Sequence, residues 1–192
     1  SEFWDSPVPH TKHSNGVWTR LDQTKEARFK RLIYFLNESK TGKELLAKAT
    51  AQARAQGLKL LDILSVGAHS LTDTTLVRSF SPDHPEKVSY ELKAHVTVNK
   101  NLRVVDAVLD LAHELTHYAF RGPFNPYDTK FSMPEFVRST IEGDGGEVMA
   151  YLKECQVLSE LFPAKIQSQS HCGRIIDEEG RFSEKKAIQE FY

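Results

Sequence analysis

The apolar positions in the first third of the chain follow the spacing of amphipathic α-helices. The first group lies at i, i+3, i+4 and i+7 and therefore shares one helical face: Phe29, Leu32, Ile33 and Leu36. A second helix is predicted to begin where Thr41 and Glu44 have the spacing of a capping box, in which each side chain bonds the backbone N–H of the other residue. This helix should end near Gly57, because glycine commonly terminates helices.

The middle of the chain changes to shorter apolar and alternating stretches. Residues 58–66, 74–80 and 88–99 each have the length and pattern of a β-strand. The last two are separated by Ser-Pro-Asp-His-Pro at residues 81–85, a sequence typical of a turn because proline restricts the backbone. A small sheet is therefore expected between two helical regions.

Helical spacing returns in the second half of the chain. Four helices are predicted there, over residues 103–122, 132–142 and 147–162 and from residue 183 onwards. The glycine-rich residues 143–146 should separate the second of these helices from the third, and Pro163 should stop the third.

The order of these elements defines the fold class. Helices, a few strands and then further helices predict an α+β fold in a single domain over residues 1–192. With 192 residues, of which 40% are hydrophobic, the chain is long enough to bury one core and short for two domains. Residues 1–22 lack a sustained period and are predicted to be loosely structured, and residues 163–192 are predicted to form a polar C-terminal tail.

The charge of the chain is almost balanced, with 25 Lys and Arg residues against 26 Asp and Glu residues. No polybasic surface is expected, which argues against binding of nucleic acid or anionic lipid. No apolar run approaches the roughly 20 residues that a membrane span needs. The chain starts at Ser1-Glu2-Phe3, which resembles a cut junction, so an extracytoplasmic location after removal of an export signal stays open, as does the oligomeric state.

The two cysteines, Cys155 and Cys172, match neither a C-x-x-C pair nor a disulfide framework. A sequence cannot supply the Cα separation that a disulfide requires. Two separate thiols, one of them buried, are therefore the favoured interpretation. A single disulfide is the alternative, and it would imply an oxidising compartment.

The sequence His-Glu-Leu-Thr-His at residues 113–117 carries the strongest chemical signal in the chain. Within a helix, His113 and His117 lie one turn apart and project from the same face, so both imidazoles can bind one zinc ion. Glu114 lies about 100° around the helix from His113, which suits a carboxylate that reaches water beside the metal. The alternative is a surface helix with two stacked histidines and no metal.

This motif resembles the active-site helix of the zincin metallopeptidases, and the resemblance extends over residues 94–161. It implies a minimal zincin-like domain: N-terminal helices and a small mixed sheet, then the active-site helix and a second helix that carries the third ligand. Residues 95–99 resemble the edge strand that lies beside the substrate in zincins, although an ordinary half-buried strand fits them equally. Phe120 and Pro123 replace the glycine and the third histidine of the metzincins, and the aspzincin pattern Gly-Thr-x-Asp is absent. The remaining type is the gluzincin-like one, with a glutamate as third ligand.

Two glutamates compete for the role of third ligand. Glu142 and Glu147 are five residues apart, about 140° around a helix, so both are not expected to face one ion. Glu147 is followed by Val-Met-Ala and resembles the E-x-x-A segment of many HExxH-plus-Glu families, so it is the favoured ligand. Glu142 could instead orient a ligand histidine, and both glutamates could be ordinary solvated acids.

The resemblance implies a zinc-dependent metallopeptidase that acts on a peptide or protein substrate. Three protein ligands leave a position for a metal-activated water, and Glu114 would be its general base. A second oxyanion donor is commonly a Tyr or His in zincins. The candidates are His171, Tyr151 and Tyr127, with a plain surface position as the alternative for His171.

Two other functions would use the same residues. The first is a zincin-like protein that binds a partner and holds a structural or vestigial metal, although a structural site has no need of a general base such as Glu114. The second is a zinc hydrolase that acts on amides other than peptides. Only metal analysis and substrate profiling distinguish these from a peptidase.

Overall fold

The computed structural model describes residues 16–122, 129–167 and 170–192, without the side chains of Leu92 and Ser170. The candidate oxyanion donor Tyr127 and the first fifteen residues of the predicted loose segment lie outside these described residues.

In the described part of the chain, four helices precede the sheet: α1 (Trp18–Leu21), α2 (Lys25–Asn37), α3 (Lys40–Ala55) and α4 (Leu60–Ile63). The predicted apolar face of α2 is confirmed, because its four members are fully buried. The predicted capping box of α3 is wrong: Ser39 is the N-cap, and its hydroxyl accepts from the backbone N–H of Gly42. Thr41 instead bonds the carboxylate of Glu160, through its backbone N–H at 2.8 Å and its hydroxyl at 2.7 Å.

The sheet contains three strands in the described residues: β1 (Leu64–Gly67), β2 (Leu71–Ser81) and β3 (His84–Asn99). The strand order is β1-β3-β2, with β1 parallel and β2 antiparallel to β3. The predicted strand at residues 58–66 is only partly right, because Leu60–Ile63 form a helical turn and the strand begins at Leu64.

Residues 95–99 lie in the central strand and not at an edge. Val96 and Val98 are fully buried, and residues 96 and 97 have a partner in both neighbouring strands. The edge-strand prediction for residues 95–99 is therefore wrong and the alternative of a half-buried strand is right. In the described part of the sheet, β2 is the edge strand on the side opposite β1.

Five further helices follow in the described residues: α5 (Val104–Phe120), α6 (Met133–Glu142), α7 (Glu147–Leu161), α8 (Ser170–Gly173) and α9 (Glu184–Gln189). The predicted break at residues 143–146 is confirmed, and so is the short helix that follows Ser183, whose hydroxyl accepts from the backbone N–H of Lys186. A 3₁₀ turn at Pro163–Lys165 follows α7.

Helix α5 lies at the centre of the molecule, packed against α2, α3, α7 and the sheet. Its apolar residues repeat at helical spacing on more than one face, so both sides of the helix are buried: Val104, Val105, Val108, Leu111, Ala112 and Leu115. The α+β fold class is confirmed. No helix in the described residues is both long enough and apolar enough to pass through a bilayer.

The two cysteines form a disulfide that joins α7 to α8, with the Cα atoms of Cys155 and Cys172 separated by 5.6 Å. The prediction of two separate thiols is wrong, because the chain after α7 returns to the same helix and brings Cys172 beside Cys155.

The segment after Pro163 is not the wholly polar tail that was predicted. Three of its residues are fully buried in the core: Cys172, Ile175 and Ala187.

The described end of the predicted loose segment is packed against the body. Trp18 is fully buried, and its indole N–H donates to the carbonyl of Asn99 at 2.8 Å. Val17 forms a β-bridge with Arg103, just before α5 begins. Residues 16–22 are thus ordered against the chain connection that leads from β3 into α5.

Candidate metal centre

His113 and His117 project from one face of α5, as the spacing of the motif predicts. Their ring centroids are 4.9 Å apart, with an angle of 78° between the ring planes. The side chain of His113 is 20% exposed and that of His117 only 4% exposed. Because α5 is packed on several sides, both rings have few directions in which they can turn.

Glu147 is the carboxylate that the structure brings to both histidines. Its Oε2 lies 3.1 Å from Nε2 of His113, and its Oε1 lies 3.1 Å from Nε2 of His117. One ligand atom of each of the three residues lies within 4.8 Å of the others, which is close enough for one ion. Glu142 is elsewhere: its carboxylate accepts from the hydroxyl of Tyr192 at 2.7 Å.

The other nitrogen of each histidine faces a hydrogen-bond acceptor. Nδ1 of His113 lies 2.9 Å from Oε1 of Glu154, and Nδ1 of His117 lies 2.6 Å from the carbonyl oxygen of Gly145. Glu154 can only accept, which puts the proton of the neutral ring on Nδ1 of His113. Nδ1 of His117 lies between the Gly145 carbonyl at 2.6 Å and Nη2 of Arg121 at 3.0 Å, and the shorter contact, to an acceptor, puts the proton on Nδ1 there too. The Nε2 lone pairs are then directed at the carboxylate of Glu147. Two lone pairs and a carboxylate can face one another only with a cation between them, and two imidazoles with one glutamate form a known ligand set for catalytic zinc.

Without a metal, a proton takes this position. Burial disfavours the charged form of His113, but hydrogen bonds with Glu147 and Glu154 outweigh it and raise the pKa of His113 to about 10. Hydrogen bonds from His113 and His117 hold the pKa of Glu147 far below its ordinary value. The two shifts share the hydrogen bond between His113 and Glu147, and Glu154 on Nδ1 contributes further to the raised pKa of His113.

Glu114 belongs to the site but not to the group of candidate ligands. It is 7% exposed, and its Oε2 accepts from the hydroxyl of Thr72 at 2.6 Å. The same hydroxyl lies 3.0 Å from the backbone carbonyl of Glu114, but its single proton goes to the closer and negatively charged oxygen. Thr72 lies near the start of β2, so the edge strand of the sheet runs past Glu114.

Gly145 allows the loop before α7 to contact the end of α5. Its φ is 69°, in the left-handed region that favours glycine. A Cβ atom at this position would lie 2.2 Å from the backbone nitrogen of Arg121 and 2.6 Å from the carbonyl carbon of Phe120. This close approach brings the carbonyl of Gly145 to His117 and places Glu147 at the first turn of α7.

His171 does not contact Glu147 in the structure. Its Nε2 lies 3.7 Å from Oε2 of Glu154, which is within ion-pair distance, and Glu154 in turn contacts the outer nitrogen of His113. This contact with Glu154 raises the pKa of His171. The hydroxyl of Tyr151 donates to the backbone carbonyl of His171. Of the two candidate oxyanion donors among the described residues, His171 therefore contacts Glu154 on the outer side of His113, and Tyr151 contacts the backbone of His171.

Three residues of the site escaped the sequence analysis: Thr72, Arg121 and Glu154. For Glu154 a signal existed, because it lies seven residues after Glu147 and so shares its face of α7. Arg121 lies four residues after His117, and its Nη2 is 3.0 Å from Nδ1 of His117 and 4.0 Å from Oε1 of Glu147. For Thr72 the sequence carries no signal, because only the sheet register brings β2 to α5.

A second group of possible ligand atoms lies beside the first. Cys155, His171 and Cys172 also place one ligand atom each within 4.8 Å of the others. The two sulfur atoms are joined in the disulfide, so they are not thiolates that could bind a metal.

Comparison with known proteins gives no assignment for this chain. No family model matches it, and neither a curated protein nor a solved structure matches it.

Proposed function

We propose that this protein is a zinc-dependent metallopeptidase of the zincin-like, HExxH-plus-Glu type. The observation that carries the proposal is the arrangement of His113, His117 and Glu147. Both Nε2 atoms lie 3.1 Å from the carboxylate of Glu147, while both Nδ1 atoms face an acceptor on the outer side. This is the arrangement that a zinc ligand set requires, since neutral imidazoles bind the metal through one nitrogen and are oriented through the other.

The position of Glu114 favours catalysis over a purely structural metal. Zinc supplies Lewis acidity, which polarises a carbonyl and makes a nearby water a stronger acid. Glu114 would accept the proton of the attacking water and deliver it to the leaving amine. The hydrogen bond from Thr72 holds this carboxylate in one orientation, as general-base catalysis demands.

A peptide is the substrate class that the surroundings of Glu114 favour. In the described residues, β2 pairs only with β3, so its other edge presents backbone N–H and C=O groups. An extended peptide can pair with such an edge as an additional strand. Because Thr72 of β2 bonds Glu114, a peptide on this edge would pass close to the proposed base.

The Glu114→Gln variant tests the proposed role of the base. The purified protein should contain one zinc per chain and cleave members of an unbiased peptide mixture, as followed by mass spectrometry. Glu114→Gln should lose activity by a factor of about 10² to 10⁴ and keep its zinc. Glu142→Gln is the matched control, and it should keep both, because Glu142 contacts Tyr192 instead of the histidines.

The outcomes separate the possible functions. Full cleavage by Glu114→Gln would remove Glu114 as the base. Zinc in the wild-type protein without cleavage of any peptide would favour a binding protein or a hydrolase of other amides. If protein purified without any chelator contains no bound transition metal, the proposed metal centre itself is refuted.

A further inference from the structure

One face of α7 contacts the short helix α8. Tyr151, Glu154 and Cys155 lie at i, i+3 and i+4, so their side chains project in the same direction. All three contact the pair His171-Cys172. The Tyr151 hydroxyl donates to the backbone carbonyl of His171, the Glu154 carboxylate lies 3.7 Å from its Nε2, and Cys155 forms the disulfide with Cys172.

The position of His171 depends on these contacts. Helix α8 spans only Ser170–Gly173, a single turn, and a helix of this length has no stability of its own. The disulfide fixes the residue next to His171, and the ring centroids of Tyr151 and His171 lie 5.6 Å apart. The disulfide and the hydrogen bond from Tyr151 together therefore place the imidazole of His171 relative to α7.

Glu154 has one partner on each of its two oxygens. Oε1 contacts Nδ1 of His113 at 2.9 Å, and Oε2 faces Nε2 of His171 at 3.7 Å. Its side chain is only 12% exposed, so water can replace a lost partner only in part. If His171 is removed, the carboxylate is expected to turn towards solvent, and the ring of His113 loses a fixed orientation.

We propose that His171, held in place by the disulfide between Cys155 and Cys172, is a positioning residue that fixes Glu154 and through it the metal-facing nitrogen of His113. The inference rests on the proposed metal centre, but not on the peptidase activity. On this proposal the disulfide has a second role besides stability, because the affinity for zinc depends on an intact bridge. The partners of ligand histidines typically change metal affinity by about 10- to 100-fold.

Zinc affinity, measured by competition with a chromophoric chelator, tests this role. His171→Ala should bind zinc about fivefold more weakly, which is less than the loss of about 10- to 100-fold typical of a direct partner of a ligand histidine. His171→Gln keeps an N–H donor at a similar reach and should restore most of the affinity. Cys155→Ala/Cys172→Ala should weaken binding by a similar factor, and alanines are chosen because reduced thiols could themselves bind zinc. His84→Ala, at an exposed position in the hairpin, is the matched control.

The combined variant distinguishes positioning from stability. If the disulfide acts through His171, adding His171→Ala to the double alanine variant should change the zinc affinity little; if the two act independently, their losses should multiply. All variants are compared at a temperature at which circular dichroism shows them folded, and the visible spectrum of bound cobalt(II) should change in the same variants.

Unchanged zinc affinity and an unchanged cobalt spectrum without the disulfide would overturn the proposal. Losses of zinc affinity that multiply in the combined variant would overturn it too. Wild-type protein that binds zinc without cleaving peptides would refute the proposed function and leave this test intact.

Discussion

Each histidine of the candidate metal centre uses its two ring nitrogens for different purposes. The Nε2 atoms of His113 and His117 face Glu147, and the Nδ1 atoms face Glu154 and the carbonyl of Gly145. The outer contacts select the tautomer, and the tautomer decides whether the inner lone pairs are available to a metal. Metal binding at this candidate centre would therefore depend on residues that are not themselves candidate ligands.

Removal of the Glu154 carboxylate should weaken zinc binding. Glu154→Ala takes away the acceptor for Nδ1 of His113, and we expect a loss in zinc affinity of about 10- to 100-fold in chelator competition. Glu154→Gln keeps an acceptor oxygen and should lose less. Glu135→Ala, an exposed acid of α6, serves as the control, and an equal loss in that variant would speak against a specific role for Glu154.

The hydroxyl of Thr72 should matter for turnover and not for metal content. Thr72→Val keeps the shape of the side chain and removes the hydrogen bond to Glu114, so the carboxylate loses its orientation. We expect kcat to fall about tenfold, the effect of one hydrogen bond to a charged group, with zinc content unchanged. Thr75→Val, at an exposed position on the same strand, should leave kcat unaltered. A parallel loss of zinc in Thr72→Val would contradict this assignment.

The candidate ligands were predictable from sequence, whereas among the residues that orient them only Glu154 had a signal, through its spacing from Glu147. His113, Glu114 and His117 come from a spacing within one helix, where geometry follows directly from residue number. The choice of Glu147 as third ligand also depended on its resemblance to the E-x-x-A segment of known families. Glu154 and Thr72 act through tertiary contacts, and residue spacing alone does not determine which of many acids and hydroxyls will face a given ring.

At the level of secondary structure, α5, the loop at residues 143–146 and α7 pack together as one structural unit that carries the three candidate ligands. The loop crosses the end of α5 so closely that Gly145 contacts the backbone of Arg121. This contact fixes the position along α5 at which α7 begins. The first residue of α7 is Glu147. The third candidate ligand is thus positioned by backbone packing before any metal is present.

A side chain at position 145 should damage both stability and metal binding. Gly145→Ala meets a backbone conformation unsuited to alanine and a steric clash with Arg121. The first effect costs about 1–2 kcal/mol, and the clash should add about 1–3 kcal/mol of unfolding free energy. Zinc affinity should fall too, because the carbonyl that holds His117 moves.

Gly180→Ala isolates the conformational part of this effect. Gly180 has a φ of 79°, and a Cβ there would meet nothing within 4 Å. In urea unfolding, Gly180→Ala should therefore lose only the smaller, conformational part of the unfolding free energy. Its zinc affinity should be unchanged. Equal unfolding free energies for the two variants would show that the close approach of Gly145 carries no cost.

The helices were more predictable than their caps and the sheet. The apolar spacing of α2 and α5 depends on one helix at a time, and it held. The cap of α3 depends on Glu160, which lies far along the chain and takes the hydroxyl of Thr41. Residues 95–99 were expected at an edge because they resemble the strand beside the substrate in zincins, but the alternation of their exposed and buried positions fits a central strand under one layer of helices equally well.

For the molecule as a whole, the candidate metal centre should link stability to pH. In the zinc-free protein, the pKa of His113 is about 10 against an ordinary value of 6.5, so its contribution to stability is complete below pH 6.5 and is lost as pH rises towards 10. The pKa of Glu147 is lowered, so its contribution is present above its ordinary value of 4.5 and is lost in acid.

The melting temperature of the zinc-free protein should accordingly fall between pH 6.5 and 10. Zinc displaces the proton, so its affinity should rise over the same range and the stabilisation by zinc should grow. Differential scanning calorimetry with and without zinc measures both trends. His113→Gln should lack the proton-linked decline, and a flat melting temperature in the zinc-free wild type would contradict the assignment.

The disulfide between Cys155 and Cys172 also holds the chain together after cleavage between the two cysteines. A protease that cuts the connection between α7 and α8, which includes the 3₁₀ turn at Pro163–Lys165, leaves the two fragments covalently joined. Such a nicked molecule would migrate as one species in a denaturing gel until a reducing agent is added. Homogeneity of a preparation should therefore be judged only on reduced samples.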